Sequence, residues 1–343
     1  MLTLKIWHGR MALIGVNSFM KNFVFKGIFV LVVSIVIYFV LNFANKIYWN
    51  YKIQNHLANG RISEASLILK QRKYCCNEKL YLDMTPLMVF ALAKDEESFL
   101  LMFDNNIHSL YLSDIRGRTV MDYIAARGTI NMITKSINSG ADINKQSTSD
   151  PTSTLLHTAA RSGHIDMVRY LFEQGINIDS KDRYGNTPLM CAVSGGHETV
   201  VTYLLKNKAD YNLVDRGNFT PLMISLSNGG IKVATEILLL NPNLNIQDDQ
   251  YGRNALMIAI QKRVSKLVEM IIAFSPNLNA QDREGNTALH TAVYMNDYDT
   301  VSLLVKNGAN TMIMNKNGKT PLELIDQFKN TRLYEKMKRE IEP

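Results

Sequence analysis

Four kinds of residue in this chain carry side chains or spacings suited to chemistry: histidines, cysteines, one Gly-Lys-Thr triplet and one Asn-x-Thr triplet. His157 and His290 have no acid or nucleophile spaced with them, so neither catalysis nor metal binding is expected of them. Cys75, Cys76 and Cys191 form no C-x-x-C pair and no even-numbered framework, which argues against a zinc site and a disulfide scaffold. The adjacent pair Cys75 and Cys76 is open to oxidants but carries no further signal. Gly318-Lys319-Thr320 resembles the tail of a phosphate-binding loop, yet the glycine that such a loop needs five residues earlier is Ile313. Asn218-Phe219-Thr220 fits a glycosylation sequon only in form. No H-E-x-x-H, G-x-S-x-G, G-x-G-x-x-G or EF-hand pattern occurs, so the expectation is a protein that is not an enzyme and holds no cofactor.

Binding is the remaining class of function, and the bulk properties bear on it. The 343 residues suffice for a sizeable core and about two domains. Hydrophobic residues make up 46% and charged residues 20%, which predicts a largely folded chain. The formal net charge of +7 points to acidic proteins, nucleic acid or an anionic membrane surface, or simply to a Lys-rich solvated surface.

Residues 28–41 read IFVLVVSIVIYFVL, and no charge falls between Lys26 and Lys46. The uncharged stretch 27–45 would span about 28 Å as a helix, close to the thickness of a bilayer's hydrocarbon core. Tyr38, Tyr48, Trp49 and Tyr51 suit the membrane–water boundary. A cleaved signal peptide is disfavoured because Asn42-Phe43-Ala44 places a polar residue where a small one is wanted. A buried core helix is disfavoured by length and by the lack of periodic polar residues. The expectation is therefore an uncleaved signal anchor, a transmembrane helix over 27–45, behind a basic segment 1–26. Met20-Lys21-Asn22 also resembles a natural start. The flanking charges are nearly balanced, and the short basic head favours an exported C-terminal part.

The rest of the chain repeats. Thr85-Pro86-Leu87-Met88, Thr187-Pro188-Leu189-Met190, Thr220-Pro221-Leu222-Met223 and Thr320-Pro321-Leu322-Glu323 have looser copies at Thr119, Thr154, Asn254 and Thr287. Successive copies lie 34, 35, 33, 33, 34, 33 and 33 residues apart. Each tetrad makes a helix start: Thr or Asn caps, and Pro sits at the first helical position, where its missing N–H costs nothing. Gly117, Gly185, Gly252, Gly285 and Gly318 stand two before the caps, as a tight turn with positive φ requires. Asp114, Asp182, Asp215, Asp249 and Asp282 stand five before and can brace that turn. Gly128, Gly163, Gly196 and Gly229, nine after, are expected to end the first helix in a left-handed residue. A second helix follows with an apolar stripe, as in Val200, Val201, Leu204 and Leu205, that one helix pair cannot bury alone.

The pattern turn-Gly-x-Thr-Pro-Leu-His-x-Ala-Ala-x-x-Gly-His resembles the ankyrin repeat. It is carried best by TLLHTAARSGH (154–164) and GNTPLMCAVSGGH (185–197), and the resemblance covers about residues 83–343. It implies an all-α ankyrin-repeat solenoid of about eight helix-turn-helix units with short β-hairpin or turn connections, here preceded by one transmembrane helix. It also implies that His157 and His290 bond locally between repeats and that His164 and His197 are consensus positions. Several departures stand out. Lys94 and Arg263 replace the helix-ending glycine, so the turn at Arg263 is expected to be distorted. Pro242 and Pro276 replace the Gly-Ala after the second helix, and residues 145–153 carry an insertion that lengthens one tip. Residues 46–82 lack the tetrad and are read as a linker with N-terminal capping helices. The charged segment from Arg332 to Ile341 is read as a C-terminal cap.

Arrays of this family bind partners through hairpin tips and the exposed ends of first helices on a concave face. That implication maps here onto the tip residues Arg116, Arg118, Arg183, Tyr184, Arg216, Phe219, Tyr251, Arg253, Arg283, Lys316 and Lys319. It maps also onto the helix-end residues Arg127, Arg161, Lys262, Tyr294 and Phe328. Arginine and aromatics are enriched at binding hot spots, and the positive balance favours an acidic protein partner. Solvated tips are the plain alternative. The expected function is a membrane-tethered scaffold for protein–protein interaction. The alternatives are a secreted effector released after signal cleavage and a regulatory subunit of a membrane complex. Nucleic acid has no motif in its favour.

Overall fold

The computed structural model describes residues 18–72, 79–103, 107–144, 150–325 and 332–341; within the first helix the side chains of 18–33 and 43 lie outside the description. Cys75, Cys76, Phe328 and the inserted residues 145–149 fall outside it too. The chain divides into two compact units, Met1–Lys73 and Tyr74–Pro343.

In the first unit, α1 (Ser18–Ala58) runs for 41 residues and packs against α2 (Ile62–Arg72), with Gly60 turning the chain at φ 70°. The capping pair read from sequence is thus not two short helices. Residues 46–58 contain no glycine or proline, and the long helix continues through them. Ile53, Ala65 and Leu69 are fully buried. Among the described residues no helix is long and apolar enough to cross a membrane. The span expected over 27–45 therefore finds no support there, and the side chains of 27–33 and 43 lie outside what is described.

The second unit is a two-layer array of helix pairs. First helices are α3 (Pro86–Ala93), α6 (Val120–Arg127), α8 (Leu155–Arg161), α10 (Pro188–Ser194), α12 (Pro221–Ser227), α14 (Ala255–Gln261), α16 (Ala288–Tyr294) and α18 (Pro321–Ile325). Second helices are α4 (Glu96–Met102), α7 (Ile130–Asn138), α9 (Ile165–Glu173), α11 (Glu198–Lys206), α13 (Ile231–Leu238), α15 (Ser265–Ala273), α17 (Tyr298–Lys306) and α19 (Arg332–Ile341). A short α5 (Ile107–Leu110) precedes the second pair. Each first helix packs on the next first helix, and the second helices form a parallel row. The connections are turns; among the described residues the only β-type pairing is an isolated bridge between Ser113 and Thr119. Between the layers lie fully buried side chains such as Leu156, Leu189, Leu204 and Leu256, each contributing about 1.5–3 kcal/mol by leaving water. The last pair is closed by α19, which packs on α17 and α18 and buries Ile341.

The tetrads act as the sequence suggests. Thr187 Oγ1 accepts the Met190 N–H at 3.3 Å, and Thr220 does the same for Met223 at 3.2 Å. Where the fourth residue is polar it returns a bond: Asp122 accepts the Thr119 N–H at 2.7 Å, and Glu323 that of Thr320 at 2.7 Å. The sixth tetrad departs from the rest. Asn254 is fully buried and caps Met257 at 3.0 Å, but its Nδ2 has no hydrogen-bond partner. Threonine keeps the cap oxygen and removes the orphan donor. Asn254→Thr is therefore expected to stabilise the array by about 1 kcal/mol, read as a higher urea midpoint; an unchanged midpoint would show that the amide costs nothing.

Two backbone expectations are corrected. Gly128 is extended (φ −68°, ψ −179°), not left-handed, and is followed directly by Thr129, the cap of α7. Its missing side chain matters for space, since a Cβ there would lie 2.7 Å from Ile124 Cα. Conversely, Lys94 and Arg263 adopt the left-handed conformation themselves, at φ 57° and 56°, so the turn at Arg263 keeps its geometry. Packing of the helix pairs outweighs a local cost of about 1–2 kcal/mol. Gly163, Gly196 and Gly229, at φ 71–73°, behave as expected.

Candidate functional site

The hairpin tips are built by one repeated device. A buried or half-buried carboxylate accepts the backbone N–H groups two and four residues on: Asp114 from Arg116 and Arg118 (2.8 and 2.9 Å), Asp182 from Tyr184 and Asn186 (both 2.9 Å). Asp215 holds Gly217 and Phe219 (both 2.8 Å), and Asp282 holds Glu284 and Asn286 (2.9 and 2.8 Å). This side chain takes the place of a backbone turn and satisfies donors that would otherwise be stranded. In the fifth tip the brace is Asp248, not Asp249 as the five-residue spacing predicted. The tip carries one extra residue, and Asp248 accepts Tyr251 N–H at 2.6 Å while Asp249 is exposed. In the unit after the insertion the brace is Asp150, which accepts the Thr152 N–H at 3.0 Å and the Arg183 N–H at 3.3 Å. Its position four before Thr154, instead of five, hid it from the spacing rule.

Adjacent tips are tied into a row by backbone bonds. Arg216 N–H donates to Tyr184 O (2.8 Å), Asp249 to Gly217 O (2.8 Å), Arg283 to Tyr251 O (2.7 Å) and Lys316 to Glu284 O (2.9 Å). The row sorts the expected binding residues into two groups. Arg118 and Arg253 are structural: each guanidinium pairs with its own buried carboxylate, Asp114 at 2.8 Å and Asp248 at 2.9 Å, and lies over a tyrosine ring, Tyr123 or Tyr251. Arg161 reaches into the next repeat, to Asp182 Oδ2 at 3.2 Å and Cys191 Sγ at 3.1 Å. By contrast Arg116, Arg183, Tyr184, Arg216, Tyr251, Arg283, Lys316 and Lys319 are exposed, and Phe219 is half-buried. The Arg183 guanidinium lies 4.7 Å from the centre of the Tyr184 ring, a cation–π contact. Arg127, Lys262 and Tyr294 are exposed at or beside first-helix ends. One cleft of about 420 Å³ gathers Arg116, Arg118, Arg161, Arg183 and Tyr184, with Asp122, Asp150 and Asp182 among them.

Two groups of this region are held in one charge state at neutral pH. Burial by itself raises the Asp114 carboxyl, but the Tyr123 hydroxyl at 2.7 Å, the Arg118 N–H and its guanidinium outweigh it and keep the group below the usual range. Burial pushes the Cys191 thiol up to about 11, so it stays protonated and unreactive at neutral pH.

The histidines join repeats rather than react. His157 Nδ1 accepts the Thr154 N–H at 3.1 Å, which fixes the proton on Nε2, and Nε2 donates to Asn186 O of the next unit at 3.0 Å. His290 repeats this between Thr287 (3.1 Å) and Lys319 O (3.0 Å). His164 and His197 each reach back one unit, to Ala125 O at 3.3 Å and Arg161 O at 2.9 Å. Burial lowers the pKa of His157, His164 and His290. The unfolded chain therefore takes up protons first as pH falls below about 6.5, and the array loses stability in that window. The loss is carried by His157, His164 and His290 and ends where their folded-state pKa values are passed. Urea unfolding between pH 7.5 and 5 checks this; a pH-independent midpoint would remove the inter-repeat histidine bonds from the account. Asp114 and Asp150, whose carboxyls are held below the usual range by the hydrogen bonds they accept, enter only below about pH 4.

Comparison with known proteins agrees with this architecture. A family model described as ankyrin repeats (three copies) matches residues 123–215, and one described as ankyrin repeats (many copies) matches residues 270–325. Inversin of Danio rerio is 37% identical over 75 residues, 22% of this chain and 7% of that protein. Serine/threonine-protein kinase 12 of Arabidopsis thaliana is 39% identical over 75 residues, 22% of this chain and 16% of the kinase. Inversin of Gallus gallus is 35% identical over 68 residues, 20% of this chain and 6% of its own length. The chain thus spans less than a fifth of the length of each of these relatives. Residues 123–215 and 270–325 are thus the stretches that match ankyrin repeats.

Proposed function

We propose that all eight helix pairs are ankyrin units and that the chain is a membrane-tethered scaffold that binds another protein. The contacts come from the hairpin tips and the adjoining first-helix ends on the concave face. Ankyrin repeats in general imply a scaffold for protein–protein interaction. The observation that carries the assignment of the surface is the bonded row of tips, which holds Arg183, Arg216, Arg283 and Lys316 exposed on a rigid backbone. Preordered, exposed arginines beside aromatic rings lose little freedom on binding and favour an acidic partner.

The tether rests on the sequence of 27–45, within which the side chains of 35–41 are exposed, from 46% at Ile35 to 67% at Phe39. A helix apolar on all sides needs a non-aqueous surrounding. The short basic head before it favours export of the repeats. A C-terminal reporter active only on the exported side, combined with fractionation, is expected to give signal in the membrane fraction. Signal in the medium would indicate a released effector, and a silent, membrane-bound reporter would reverse the orientation.

The binding surface is tested with a photo-crosslinking residue at position 184 or 251 of the full-length chain. A discrete crosslinked protein is expected from these tips and not from positions 166 or 266 on the second helices. Crosslinking from the second helices alone would move the site to the other layer.

A further inference from the structure

The row of tips has a period and a charge order, and together they specify the shape of a ligand. In the last tip the brace is Asn315, whose Oδ1 accepts the Asn317 and Lys319 N–H groups at 3.0 and 3.1 Å. The residue directly after the bracing side chain is equivalent in successive units: Arg183, Arg216, Asp249, Arg283 and Lys316. All five are exposed, and in the last four the N–H bonds to the preceding tip, so they form one line with charges + + − + +. Stacked helices set neighbouring units about 8–10 Å apart. An extended chain in the polyproline II conformation turns once in three residues and advances about 9 Å, which returns a side chain to the same face once per unit.

We infer that the tips recognise an extended peptide segment, one residue in three facing the row, with acidic side chains at i, i+3, i+9 and i+12 and a basic one at i+6. The inference rests on the binding function proposed above and adds the chemistry of the ligand. Opposite charges meet at each step, and a like charge at any step is repelled. The order reads the same in both directions, so either peptide polarity fits. Asp249 at the centre disfavours a uniform polyanion such as single-stranded nucleic acid, which would place negative charge against it.

The test is fluorescence anisotropy with the full-length chain in non-ionic detergent. The probes are labelled synthetic peptides: one with this pattern and a lysine at i+6, one with glutamate at i+6, and one of the first composition with its acidic residues two apart. The patterned peptide is expected to bind at least ten-fold more tightly than the permuted one. Asp249→Lys is expected to invert the preference between the lysine-centred and glutamate-centred peptides, a gain that misfolding cannot produce. Equal binding of patterned and permuted peptides, or competition by single-stranded DNA as effective as the patterned peptide at physiological salt, would overturn the inference. If positions 184 and 251 crosslink a protein while the peptides go undistinguished, this inference fails and the proposed function stands. Discrimination of the peptides without any crosslinked protein supports the row and counts against the proposed function alone.

Discussion

Leu204→Ala is expected to destabilise the array by about 2–5 kcal/mol, the range for emptying a fully buried leucine site. Leu204 has no solvent exposure, and its helix α11 is packed by α9 on one side and α13 on the other. Helices pinned on both sides relax little into a cavity, so the cost belongs near the upper part of that range. Each unit contacts only its neighbours, so the damage is expected to uncouple the units on either side of α11. Urea unfolding of the full-length chain reads this as a lower midpoint with a broadened transition. Leu239, 69% exposed just beyond α13, serves as the control, and its alanine variant is expected to stay within about 0.5 kcal/mol of the parent. A loss under about 1 kcal/mol at Leu204 would mean that the two helix layers are not closely packed there.

Reversing the charge of Arg183, Arg216 and Arg283 together, each to glutamate, is expected to weaken partner capture by at least about a hundred-fold while leaving the fold intact. All three side chains are exposed. Arg216 and Arg283 serve the row through backbone N–H groups that glutamate retains. The contrasting variant is Arg253→Glu. It sets a carboxylate against buried Asp248 and is expected to lower stability before it alters recognition. Crosslinking from position 184, with circular dichroism of both variants, separates the two effects. Undiminished capture by a folded triple variant would remove the tips from the binding surface.

The difference between those two arginine classes was not legible locally. Arg116 and Arg118 lie in one tip, and both were expected to meet a partner, yet only Arg118 pairs with buried Asp114. Arg161 could not be assigned from its own repeat, because Asp182 and Cys191 stand 21 and 30 residues away.

The sequence by itself determined the period of the array, the place of each first helix, its threonine or asparagine cap and the glycine turns. These depend on interactions within a few residues: a cap oxygen with the N–H three residues on, or a backbone that only glycine enters cheaply. Tertiary structure decided the rest. It held Lys94 and Arg263 in a left-handed conformation, placed the brace at Asp248 in a tip with one extra residue, and left Gly128 extended beside Ile124. It also aligned Arg216, Asp249, Arg283 and Lys316 by bonds between units. The alignment of the tips is set by hydrogen bonds to a neighbouring unit about 30 residues away, and local residue preferences are too weak to fix it.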